Sequence, residues 1–257
     1  MGMGHQLEGA DPLQNRSLIL AHRGWSGRYP ENTLLAFNES LTLGVDGFEF
    51  DVQLSADQVP VILHDPTVNR TTNGSGRVSE KSLEELRSLN AAHVWPHLPA
   101  QPIPLLGEVL NLIAQRNPSG FYNIEVKVYN EDWREVIDRF MPTLLHQSFG
   151  ERVLISSFYH PCLYYLRDQF PNTPVGLLYE ENVKNPWRDA MAMGAYSVNM
   201  DYHFITKKLV DDCHEAGVKV CAWTVDDANN LRTLAQWGVD VLISNHPDIA
   251  LQTVRDL

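Results

Sequence analysis

The chain has 257 residues, 44% of them hydrophobic, with 16 Gly and 15 Pro spread along it, which is ample apolar material for one large globular domain. A net charge of −12 argues against a nucleic-acid binder, because phosphate backbones recruit basic faces, but leaves room for a small anion held locally by Arg, Lys or a metal. No apolar run approaches the ~20 residues of a membrane span, and Cys162, Cys213 and Cys221 lack metal-like or redox-like spacing and read as small buried hydrophobes of a reducing compartment.

The opening "MGMGHQLEGADPLQNRS" has neither the basic start nor the apolar stretch of a secretory signal. Gln6 stands where a myristoylation pattern wants Ser or Thr, so residues 1–16 read as a flexible leader. From there short apolar, β-branched runs alternate with helical patterns. "LILAH" (18–22) precedes "ENTLLAFNESLTLG", with the "PENT" stretch (30–33) reading as a helix start capped by Asn32. "GFEFDVQL" (47–54) precedes "VPVILH" (59–64), and "FYNIEVK" (121–127) precedes "DWREVIDRFMPTLLH". Five more strand-like runs follow, from "RVLISSF" (152–158) to "VDVLIS" (239–244), each with a helical segment behind it. Glycines in "EAGVKV" and "QWGVDV" fit helix C-caps that feed the next strand.

Fully apolar strands separated by single helices predict a parallel sheet covered by helices, and eight such units match the length of a (β/α)8 TIM barrel. A doubly wound open sheet is the runner-up, but no Gly-rich phosphate fingerprint follows the first strand. One stretch breaks the rhythm. Residues 64–104 carry turn residues, a short helix with a capping box at Ser82 and Glu85, and a Pro-rich tail. They read as an insertion between the second strand and its helix, a lid or substrate wall within a single domain spanning 1–257.

In such barrels the reacting groups sit at the C-terminal ends of the strands. His22 and Arg23 follow the first strand, Glu49 and Asp51 lie two apart late in the second, and His64 ends the next extended run. Glu125 and Lys127 repeat the two-residue spacing on the third strand, and Trp223 ends the seventh, where it reads as a pocket wall. Carboxylates sharing one strand face repel and are costly to desolvate unless a cation or proton joins them. Three carboxylates make a hard, oxygen-only site suited to Mg²⁺ or Ca²⁺, which absorbs charge in a displacement at phosphorus. Arg23 and Lys127 add donors for phosphate oxygens, though Lys127 also reads as an ion-pair partner of Glu125 or Glu49. His22 and His64 supply a general acid and a general base, in an order the sequence leaves open.

The ordered set "AHRG", "PENT", "EFDVQLSAD", "VILHD", "NRTTNG", "IEVK", "SSF" and "AWTV" resembles the glycerophosphodiester phosphodiesterase family, especially its short soluble bacterial-type members, from about Leu18 to Asp248. The resemblance implies a TIM barrel with an insertion matching 64–104, metal ligands at Glu49, Asp51 and Glu125, and catalytic histidines at His22 and His64. It also implies phosphate-binding residues at Arg23 and Lys127 and apolar substrate contacts at Phe158 and Trp223. The implied reaction is Mg²⁺- or Ca²⁺-dependent hydrolysis of glycerophosphodiesters, such as glycerophosphocholine or glycerophosphoethanolamine, to sn-glycerol 3-phosphate and an alcohol. That places the chain in lipid and glycerol metabolism as a cytoplasmic hydrolase without nucleic-acid partner or stable membrane insertion, its assembly into homo-oligomers left open. The rivals are a lysophospholipase D or a phospholipase C-like hydrolase on the same barrel, and an inactive phosphoester-binding barrel. One departure is visible: the family commonly carries Thr-Asp and a Pro after the last strand, where this chain has "SNHPD" (244–248), so altered local bonding is expected at Asn245.

Overall fold

The computed structural model describes residues 16–129, 133–147 and 149–257; the leader expected over 1–16 lies, apart from Arg16, outside the described residues. In chain order the elements are β1 (Leu18–His22), α1 (Leu34–Leu43), β2 (Gly47–Leu54), β3 (Pro60–Ile62), α2 (Leu83–Arg87), α3 (Leu106–Arg116) and β4 (Tyr122–Val126). Then come α4 (Trp133–Leu145), β5 (Val153–Ser157), α5 (His160–Gln169), β6 (Val175–Tyr179), α6 (Pro186–Met193), β7 (Ser197–Asp201), α7 (Lys207–Glu215), β8 (Lys219–Trp223), α8 (Ala228–Trp237), β9 (Val241–Ser244) and α9 (Pro247–Arg255).

The strands run in the spatial order β1-β9-β8-β7-β6-β5-β4-β2, and parallel pairing of β1 with β2 closes the ring. This is the expected (β/α)8 barrel. The "VPVILH" run contributes β3, which folds back antiparallel on β2 and pairs Val52 with Ile62, so it stands outside the ring of eight.

Alternation along the strands sorts side chains into two cores. Ile19, Ala21, Phe48, Phe50, Val52, Ile124 and Val126 pack outward against the helices, with Phe37 of α1 stacked on Phe48 at 4.4 Å between ring centroids. Leu18, Leu20, Phe121, Leu154, Cys221, Val241 and Ile243 fill the barrel's lower interior. Apolar filling stops there: the next level up is polar, beginning with Glu49 and Asn123, which share one register.

Residues 64–104 have a small core of their own. Val68, Val78, Leu86, Ala91 and Ile103 pack on Val61 and Leu63, which anchors the segment to β3. Its helix α2 opens with the predicted capping box: Ser82 accepts from the Glu85 backbone N–H at 3.2 Å, and Glu85 accepts from the Ser82 N–H at 2.7 Å. The glycine C-caps also form, with Gly217 and Gly238 at φ of 73° and 86°. All three cysteines are buried and unpaired. Among the described residues no helix is long and apolar enough to cross a membrane.

Candidate active site

Because Phe48, Phe50 and Val52 face the helices, the intervening Glu49 and Asp51 must face the barrel interior. Strand register then assembles the site. His22 on β1 lies level with Glu49, which lies level with Asn123 on β4; Asp51 lies level with Glu125. Glu49, Asp51 and Glu125 are 4%, 0% and 9% exposed, and one oxygen from each lies within 4.8 Å of the other two.

Two cations meet this cluster. Lys127 Nζ contacts Asp51 Oδ1 at 3.1 Å and hydrogen bonds to Glu125; Arg23 Nε lies 3.3 Å from Asp51 Oδ2. Of the two partners the sequence offered for Lys127, Glu125 is thus realised and Glu49 is replaced by Asp51. Burial alone would raise Asp51, yet Lys127 and Arg23 hold its carboxyl well below the usual range. Burial and repulsion from Asp51 and Glu125 push Glu49 well above it, and burial, opposed by Lys127, lifts Glu125 to about 7. Full ionisation of three carboxyls against two cations would leave one negative charge uncompensated in a buried place, which is costly and is why Glu49 and Glu125 are raised. A divalent cation with oxygen ligands removes that deficit, so the donor set fits a hard metal ion.

The two imidazoles are held differently. His22 Nδ1 meets Asn245 Oδ1 at 2.7 Å, and Asn245 donates its own amide N–H to Asp226 Oδ2 at 2.8 Å. Asp226 also takes the Asn245 backbone N–H and the Ser244 hydroxyl. That pinning leaves Oδ1 as the face His22 sees, so His22 carries its proton on Nδ1 and presents the Nε2 lone pair, 3.8 Å from Glu49 Oε2. Burial and the Arg23 charge lower His22 to about 4. His64 Nδ1 instead donates to the Asp65 carboxylate at 2.7 Å. Burial lowers His64 too, but the Asp51 and Asp65 carboxylates oppose the fall.

An ion-pair chain joins the inserted segment to Arg23. Arg70 binds Asp65 at 2.8 Å and Glu31 at 2.7 Å, and Glu31 accepts from Arg23 at 2.9 Å. Arg23 has φ 55°, a left-handed conformation that costs a non-glycine residue on the order of 1 kcal/mol and recurs at functional sites. Its backbone N–H donates to the Glu49 carbonyl at 2.9 Å, which keeps it there.

His22, Arg23, Glu49, His64, Glu125, Phe158 and Trp223 line one cavity of about 190 Å³ at the C-terminal mouth of the barrel. The Phe158 and Trp223 rings meet edge to face at 5.6 Å. An adjoining cavity of about 330 Å³, lined by Lys127, Tyr129 and Tyr159, shares His64, Glu125 and Phe158 with the first. A larger hollow of about 720 Å³ opens near the starts of β5 and β6 and touches none of these residues.

All nine residues singled out from the sequence therefore meet at one end of the barrel. Sequence reading missed their supports. Asn32 does not cap α1: Thr33 does, accepting from the Ala36 N–H at 3.2 Å. Asn32, at φ 56°, instead donates to Asp51 Oδ2 at 2.8 Å. Asp226 was likewise invisible, because a polar residue in a loop gives no periodic signal, while Glu31, Asp65 and Arg70 lie inside "PENT", "VILHD" and "NRTTNG" with no role legible for them. Only Asn245 announced itself, as a departure from the expected carboxylate.

The profile of the glycerophosphoryl diester phosphodiesterase family matches residues 22–249. A glycerophosphodiester phosphodiesterase from Caldanaerobacter subterraneus subsp. tengcongensis is 38% identical over 241 residues, covering 93% of this chain and 98% of that protein. One from Bacillus altitudinis is 33% identical, with 93% and 98% covered. Among solved structures, an Oleispira antarctica phosphodiesterase in complex with the product sn-glycerol-3-phosphate superposes with a TM-score of 0.87 at 27% identity, covering 93% of this chain and 97% of that one. With its barrel, its buried acidic cluster and this match over most of its length, the chain belongs to the glycerophosphoryl diester phosphodiesterase family.

Proposed function

We propose that this chain hydrolyses glycerophosphodiesters to sn-glycerol 3-phosphate and an alcohol, with His22 as general base and His64 as general acid. The observation that carries the reading is the pairing of two imidazoles with three buried carboxylates around one cavity. Glu49, Asp51 and Glu125 would hold Mg²⁺ or Ca²⁺, which when bound supplies positive charge to a phosphoryl oxygen. Arg23 and Lys127 bind the remaining phosphate oxygens and hold the diester against the triad.

The histidine roles follow from their partners. The Asn245 amide oxygen fixes the His22 tautomer, and burial with the Arg23 charge keeps the ring neutral, so Nε2 stays free to take a proton from the attacking hydroxyl. A carboxylate on His64 favours the imidazolium, which then delivers its proton to the leaving alkoxide. Phe158 and Trp223 give apolar surface to the substrate carbons. The cavity beside Tyr129 and Tyr159, reached past His64, gives the departing alcohol a way out. Residues 64–104 act as the wall of a single barrel domain, carrying Arg70 to the Glu31 and Asp65 carboxylates. Net acidity and three buried free cysteines support a cytoplasmic enzyme acting on a small molecule rather than on nucleic acid.

The test is a coupled assay for sn-glycerol 3-phosphate over a panel of glycerophosphodiesters, run beside an assay of choline release from lysophosphatidylcholine. Release of glycerol 3-phosphate from the deacylated diesters is expected. Turnover of lysophosphatidylcholine alone would make it a lysophospholipase D, and no turnover of any would make it a binding barrel.

A further inference from the structure

The polar row on the inward face of β2 does not end with its two carboxylates. Gln53 continues the spacing after Glu49 and Asp51 and is 6% exposed. It puts a neutral amide where the row would otherwise carry a third charge, and both of its N–H donors are used. Gln53 Nε2 donates to the Leu63 carbonyl at 2.7 Å and to the Asp65 carbonyl at 2.8 Å, the two that flank His64. The carbonyl of His64 itself accepts from the Tyr129 hydroxyl. Two side chains thus hold three successive carbonyls, while the Leu63 N–H donates to the Asp51 carbonyl at 3.2 Å.

β3 ends at Ile62, so His64 and Asp65 lie beyond the strand that carries them. Pro66, next in the chain, lines a cavity of about 160 Å³ together with Gln53 and Tyr129, so packing leaves that side room to shift. The Asp65 carboxylate orients the His64 ring, but the place of the ring in space comes from the backbone beneath it. Delivering a proton to a leaving alkoxide needs a donor within ~2.6–3.2 Å, and a displacement of about 1 Å lowers a rate ~10²-fold. Gln53 lines neither cavity that His64 lines, so it reaches the reaction only through that residue. We infer that Gln53, assisted by Tyr129, is the positioning residue of His64, tying its backbone to the strand that carries Glu49 and Asp51. This rests on the reading of His64 as general acid in the proposed diester hydrolysis.

The experiment compares glycerophosphocholine with the 4-nitrophenyl ester of glycerol 3-phosphate, in saturating Mg²⁺, for wild type, Gln53→Met and Tyr129→Phe. Choline leaves as an alkoxide that needs a proton, and nitrophenolate does not. Gln53→Met keeps the length of the side chain and removes both donors. For glycerophosphocholine kcat should fall ~10–100-fold in Gln53→Met and about fivefold in Tyr129→Phe, with KM within about twofold of wild type. For the nitrophenyl ester kcat should change by less than about threefold in either variant. A merely structural role would lower both diesters by one factor. Equal falls on both, or an unchanged rate on glycerophosphocholine, would overturn the positioning role while leaving the phosphodiesterase reading intact. Tyr129→Phe removes one hydroxyl from an exposed side chain, so its split between the two diesters decides the matter should Gln53→Met not fold. A wild type that cleaves neither diester would instead overturn the function, and the positioning role with it.

Discussion

Asn245 presents its side-chain oxygen to His22 Nδ1 at 2.7 Å and is held in that orientation by Asp226, which takes the other end of the same amide. A neutral hydrogen-bond acceptor thus orients one imidazole while a carboxylate, Asp65, orients the other. The two histidines differ in partner before any substrate arrives.

Replacing that amide by a carboxylate should change the pH profile. Burial and Arg23 lower His22 to about 4, so the proposed base is free of its proton throughout the neutral range. In Asn245→Asp an anionic partner favours the imidazolium, His22 takes up its proton at higher pH, and the acid limb of kcat/KM moves upward by one unit or more. An acid limb unmoved from wild type would remove His22 from the role of base.

Deleting either imidazole should cost far more than disturbing its partner. His22→Ala and His64→Ala should each lower kcat by ~10²–10⁴ with the fold intact by circular dichroism. Asp65→Asn keeps the shape beside His64 and removes the charge, so a fall of roughly tenfold is expected, greatest for diesters with a poor leaving alcohol. A nitrophenyl leaving group, which needs no proton, should be nearly indifferent to it.

The acidic cluster makes metal binding and stability depend on pH in a set direction. Burial, against the pull of Lys127, raises Glu125 to about 7, and burial with repulsion from Asp51 raises Glu49 as well. A carboxyl raised on folding contributes stability that is complete below its unfolded value, about 4.3, and is lost as pH climbs through the folded value near 7. The metal-free protein should therefore lose melting temperature between pH 5 and 8, and Mg²⁺ should restore more of it at pH 8 than at pH 5. Calorimetry should also show protons released on binding below pH 7. Equal Mg²⁺ stabilisation at both pH values would contradict the ligand assignment.

The ion-pair chain from the inserted segment predicts a long-range effect. Arg70→Ala takes one partner from each of Glu31 and Asp65, leaving Glu31 to Arg23 and Asp65 to His64, the residues proposed to face the phosphate and the leaving group. Because Arg70 is half exposed, the fold should tolerate its loss with a stability change under about 1 kcal/mol. KM for a glycerophosphodiester should rise severalfold; unchanged kinetics would mean that the segment is a passive wall.

The barrel was legible because its strands, buried on both faces, are short runs of β-branched and aromatic residues, and because helix glycines mark the turns between them. The acidic triad was legible for the same reason: Glu49 and Asp51 interrupt "GFEFDVQL", where a barrel strand offers no wet face to excuse them. The antiparallel β3 was not separable from a parallel strand, since a three-residue apolar run carries no direction. Asn32 was misread because Asn before a helix is a good cap in its own right, and only strand packing brings Asp51 within its reach. Asp226 and Asn245 lie nineteen residues apart on successive loops, a pairing that the parallel adjacency of β8 and β9 creates.

The most direct test of the whole account is release of sn-glycerol 3-phosphate from glycerophosphocholine by one preparation assayed before EDTA, in EDTA, and after excess Mg²⁺ or Ca²⁺ is returned. The proposed role of the three buried carboxylates as ligands of a divalent cation predicts that turnover stops in chelator and recovers with the ion, and that Glu125→Gln needs far more metal to recover. Turnover that continues undiminished in EDTA would contradict it.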